Sequence, residues 1–110
     1  MAITIKEPYV VGEKSTPLVY QYLDANGAPI SVAGWAAEFH IQERFGSPVV
    51  LSASIVDGPN GKVEHVWTGS EFSAPGEYSG QFWVGDGNHL YASVTIKFKV
   101  AAAIGSVPLL

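Results

Sequence analysis

Residues 35–42, Trp-Ala-Ala-Glu-Phe-His-Ile-Gln, put Trp35, Ala37, Phe39 and Ile41 on one side of the chain and Glu38, His40 and Gln42 on the other. A period of two is the mark of a half-buried strand, because successive side chains of a pleated backbone point to opposite faces. The same alternation returns in Ile3 and Ile5, in Val49, Leu51, Ala53 and Ile55, in Val63, His65 and Trp67, and in Val94, Ile96, Phe98 and Val100. No window carries the helical period. Residues 17–23 add a strand rich in aromatic and branched side chains, and residues 70–73, Ser-Glu-Phe-Ser, are the one place where a single helical turn is expected. Pro8 interrupts the first run near an edge, and residues 9–11 continue it or pair again elsewhere.

Turn chemistry separates these runs. Asp24-Ala25-Asn26-Gly27, Asp57-Gly58-Pro59-Asn60-Gly61 and Gly85-Asp86-Gly87-Asn88-His89 each combine Asx residues with Gly. About seven strands, with turns at roughly ten-residue intervals, predict an all-β, antiparallel sandwich of immunoglobulin-like type over residues 1–100. Residues 101–110 form a separate apolar tail.

The turn at Pro75-Gly76 feeds a strand in which Tyr78, Gly80, Phe82 and Val84 share a face. A Tyr just after a turn is the sequence shape of a tyrosine corner, in which the ring packs inside while the hydroxyl reaches backbone left unpaired where the chain changes sheet. The plainer alternative is a Tyr that opens an ordinary strand. Gly80 leaves room for a bulky group to lie across the strand. Trp83 points the other way, toward an outer face, as a contact hot spot, as a sugar platform, or as a ring covered by a crossing loop or the tail.

Charge narrows the partners. The chain has 110 residues, a net charge of −4 and only six Lys plus Arg, with no basic run to neutralise phosphates, so nucleic acid is not an expected partner. Residues 1–7 lack a signal-peptide pattern and no stretch approaches a membrane span, so synthesis in the cytoplasm and no membrane partner are expected. Without Cys, stability must come from packing. Charged residues make up 15% and apolar ones 47%, which fits either apolar side chains left over for contacts with other chains or a thin two-sheet domain with a naturally high apolar count.

Chemistry-bearing groups do not converge in the sequence. His40, His65 and His89 fall on separate elements without ligand spacing, so no metal site is expected, and His65 is read as a half-buried, hydrogen-bonded side chain. No nucleophile elbow, convergent carboxylate pair or calcium loop is present, so no catalytic residue and no cofactor are assigned and the chain is read as a non-enzyme. In the tail, Ile104, Val107, Leu109 and Leu110 are candidate interface residues that dock on this domain or on a neighbour.

Taken together, Val63-Glu64-His65-Val66-Trp67-Thr68 followed by Pro75-Gly76-Glu77-Tyr78-Ser79-Gly80-Gln81-Phe82 resembles the immunoglobulin-like domain at the N-terminus of phage baseplate upper proteins. The turn at residues 24–27 and the Gly34 that precedes the alternating strand agree with it. The resemblance covers roughly residues 10–100 and implies a small virion component, a head decoration protein or a tail, neck or baseplate accessory, bound to other virion proteins, with a homo-oligomer as one option. Baseplate upper proteins carry further segments that hold receptor-binding proteins, whereas this sequence stops about ten residues after its last strand, so receptor binding is not carried over. The rival expectation is a carbohydrate-binding or adhesin module with Trp83, Trp67 or Tyr91 as stacking platforms.

Overall fold

A computed structural model describes residues 2–4, 9–12, 14, 16–72 and 74–104, the first three through their backbone alone. Among the described residues there are ten strands: β1 (Ala2–Thr4), β2 (Tyr9–Val10), β3 (Leu18–Gln21), β4 (Ala36–Glu43), β5 (Val49–Ser52), β6 (Ser54–Asp57), β7 (Lys62–His65), β8 (Gly76–Gly85), β9 (Leu90–Ala92) and β10 (Ile96–Ala101). No helix occurs among the described residues. One sheet has four strands in the order β1-β3-β7-β6, and the other has six, β2-β10-β8-β4-β5 with β9 also paired to β8. Apart from the parallel pair β2–β10, every pairing is antiparallel.

The strand count exceeds the expected seven because three apolar runs each appear as two segments. The first contributes β1 to the small sheet and β2 to the large one. Residues 49–56 do not form one strand: β5 pairs with β4, the chain leaves that sheet at Ala53, and β6 pairs with β7 in the other. The last run breaks after β9, where three residues, Ser93 to Thr95, stand opposite two, Gln81 and Phe82. One extra residue reverses parity. Ser93 turns inward, its Oγ accepting from Phe82 N at 2.9 Å, and Val94 is exposed instead of facing the core as its spacing suggests.

Between the sheets, Phe39 and Ile41 of β4 and Phe82 and Val84 of β8 meet Leu18, Tyr20 and Val63 of the small sheet. Trp35 and Ala37 pack at the margin of this core. Each fully buried aliphatic or aromatic side chain contributes about 1.5–3 kcal/mol of transfer free energy. At the end of the sandwich where β10 finishes, Tyr9, Trp67, Phe72, Tyr78 and Phe98 form a continuous ring cluster, with Tyr9–Trp67 and Phe72–Tyr78 centroids both 4.9 Å apart. Strand β10 runs through Ala101, whose carbonyl accepts from Val11 N, so the strand ends one residue later than expected.

Candidate interaction surfaces

Two tyrosines tie backbone between elements. Tyr78, third residue of β8, donates its hydroxyl to the Ala74 carbonyl at 2.7 Å while its ring stacks on Phe98. Tyr22 donates to the Phe82 carbonyl at 3.1 Å, across the sandwich, and burial followed by the neighbouring Tyr20 pushes its phenol well above the ordinary value. Gly80 is buried between strands, and a Cβ there would stand 2.7 Å from Phe39 Cζ and 3.3 Å from Phe98 Cε1. The bulky group across the strand is thus the Phe39 ring.

The outer face of the large sheet is polar. Trp83 sits on it half-buried, in register with Glu38 on one side and the small Ala92 on the other, its ring 6.3 Å from that of His40. Toward the other end of β8, a shallow depression of about 640 Å³ is lined by Gln42, Arg44, Glu77, Ser79, Lys97 and Lys99 among others. Arg44 bridges to Glu77 at 3.0 Å. The lysines belong to β10, which lies between β2 and β8 and is not an edge.

At the edge of that sheet the character changes. Among the described residues strand β5 has one neighbour, β4, and residues 46–56 carry no charged side chain. Val50 is 58% exposed and shares the outer face with His40, and Phe45, on the turn before β5, is 91% exposed. Val49 is also open, as is Val56 on β6. Charged residues usually guard such edges, because an unpaired strand of branched apolar residues invites another strand.

A second aromatic group, partly exposed, lies at the opposite tip, where the 86–89 loop folds toward the half-buried Trp35. The His89 ring stacks on Trp35 at 5.7 Å and 11°, and Tyr91 lies 5.4 Å from the same indole. Asp86 shapes the loop by accepting from Asn88 N and His89 N, and these hydrogen bonds hold its carboxyl below the ordinary value.

All three histidines stand beside a carboxylate: His40 with Glu38, His89 with Asp86, and His65 with Glu71. His65 is 2% exposed, so it is buried outright, not half-buried. Its Nδ1 lies 2.6 Å from the Ser52 carbonyl and its Nε2 2.9 Å from Glu71 Oε2. Glu71 also accepts from Thr68 N at 2.7 Å and Gly69 N at 3.0 Å. Burial pushes the Glu71 carboxyl up, but the hydrogen bonds from Thr68, His65 and Gly69 together outweigh it and hold the group below its ordinary value. No helical turn forms at residues 70–72. The Glu71 side chain folds back onto Thr68 as in a capping box, but Phe72 then enters the core where a helix would continue outward.

Of the residues singled out in the sequence, Tyr78 and Gly80 lie in the core, Trp83 on the outer face, and Ile104 is fully exposed three residues beyond β10. Ile5, Pro8, Ser73, Val107, Leu109 and Leu110 lie outside the described residues. Trp67 is buried among Tyr9, Phe39 and Phe72 and cannot serve as a platform. Phe45 and the β5 edge escaped sequence reasoning, although the uncharged stretch around Val49 and Val50 was the available signal. Among the described residues no three His, Asp or Glu side chains group as a metal site requires. The chain matches no family model and no curated protein.

Proposed function

We propose that the chain is a non-enzymatic structural protein of a tailed-phage particle, made in the host cytoplasm, that binds other virion subunits as a head decoration or a tail, neck or baseplate accessory. In this reading the sandwich is immunoglobulin-like. Strands β1, β3, β7 and β6 take the places of A, B, E and D, while β4, β8 and β10 take those of C, F and G. The Tyr78–Ala74 hydrogen bond has the form of a tyrosine corner.

The observation that carries the proposal is the uncharged β5 edge with Phe45, Val49 and Val50 open to water. Strand addition or close apolar docking would cover these groups, and the contact would need no charged partner. Trp83, Ile104 and the apolar residues Val107, Leu109 and Leu110 extend the same chemistry.

Quantitative mass spectrometry of purified particles tests this reading. The chain should be present at a fixed ratio to the major capsid or tail subunit after stringent purification. Its absence from particles, joined with binding of the isolated chain to glycans, would favour the carbohydrate-binding alternative. That alternative draws on the exposed His89 and Tyr91 rings beside the half-buried Trp35, and on the half-buried Trp83.

A further inference from the structure

The His65–Glu71 pair goes beyond the particle assignment. A carbonyl can only accept a hydrogen bond, so the 2.6 Å contact with Ser52 requires a proton on His65 Nδ1. The other ring nitrogen faces a carboxylate oxygen that already accepts from Thr68 N, and the second oxygen accepts from Gly69 N. One proton must lie between ring and carboxylate, and the backbone N–H groups of Thr68 and Gly69 directed at Glu71 favour placing it on the ring.

We propose that His65 and Glu71 form a buried imidazolium–carboxylate latch that clamps residues 66–72 onto the sandwich and makes its stability fall on both sides of mildly acidic pH. The latch holds Trp67 and Phe72, the rings that close over Tyr9.

Among the described residues, few other charges reach this pair. From β4 only the Phe39 ring stacks on His65, while Glu38 and His40 point to the outer face. In β3, Leu18 is the residue in register with His65, and in β7 the neighbouring Glu64 lies on the opposite side of the strand. Chain 52–54 offers the Ser52 carbonyl and neutral side chains. From the segment after β2, Lys14 runs its aliphatic stem beside Gly69 and is exposed.

Proton counting fixes the sign. The folded pair holds two protons: one on Nδ1, one shared with the carboxylate. Unfolded, an ordinary His and Glu hold one between them above about pH 6.5, two between about 4.5 and 6.5, and three at lower pH. Stability therefore falls as pH rises above about 6.5, where the folded state binds one proton more, until the pair itself gives that proton up. It falls again as pH drops through the lowered Glu71 range, where the unfolded state binds more.

The test compares the wild-type chain with Glu71→Gln. A glutamine that turns its amide nitrogen to a neutral His65 Nε2 still accepts from Gly69 N but leaves Thr68 N without its acceptor, so the variant is less stable at every pH but needs no extra proton, and the comparison is of pH slopes. As pH rises above about 6.5 the wild-type folding equilibrium should weaken more steeply than that of the variant, by at most about tenfold per pH unit. Nitrogen NMR of the wild-type ring at about pH 7.5 should show both His65 nitrogens protonated. Equal pH slopes in the two proteins, or a neutral single-tautomer ring in the folded wild type, would overturn the latch. If the variant does not fold, the ring spectrum decides alone.

Discussion

The aromatic end of the sandwich and the flank made by β5 and β6 are both built from strongly apolar sequence, yet their side chains meet different fates. Tyr9, Trp67, Phe72, Tyr78 and Phe98 are all buried, whereas Phe45, Val49, Val50 and Val56 stand in water. Hydrophobicity does not distinguish them. What differs is the presence of a facing layer: the rings lie between two sheets, while the flank is where one sheet stops and the chain crosses to the other at Ala53. An apolar side chain at such a boundary gains nothing from the fold and becomes available to a partner.

The largest expected effect is inside. Phe39→Ala removes the ring that lies over Gly80 and stacks on His65, and should cost about 3–5 kcal/mol in chemical denaturation. A loss under about 1 kcal/mol would mean that the core collapses around the gap and that the contrast with the flank is weaker than drawn. Tyr78→Phe comes next. It keeps the stacked ring but takes the donor from the Ala74 carbonyl, for an expected loss of about 1–3 kcal/mol. A change within about 0.5 kcal/mol would remove the corner from the account.

These core positions are also the ones most legible in the sequence. Phe39, Phe82, Val63 and Phe98 follow strict alternation, and the turn at residues 24–27 has Gly27 at positive φ, as its composition implies. Alternation alone could not reveal where a strand changes sheet. Val49 to Val56 keeps its period through Ala53, and only the facing partners, β4 and then β7, show the break. Nor could it foresee the extra residue at Ser93–Thr95, whose inward hydroxyl is polar and so reads as surface. The His65–Glu71 pair was illegible for a related reason: its members are brought together by an irregular loop, not by a shared periodicity.

Outside the core the expected stability effects shrink while the binding effects grow. Deleting residues 105–110 should leave the melting temperature within a few degrees of the full chain and reduce incorporation into particles. Should melting fall by more than that while incorporation of the folded fraction stays normal, the tail belongs to the sandwich and not to an assembly contact.

Val50→Lys tests the β5 edge most directly. It places a charge on an exposed position of an edge strand without touching the buried core. Stability should change by less than about 0.5 kcal/mol. Competed against wild type for assembly, the variant should be depleted from purified particles at least about tenfold, the loss expected from about 1.4 kcal/mol of contact energy. Equal incorporation of a folded Val50→Lys chain would contradict the claim that this edge is the contact surface.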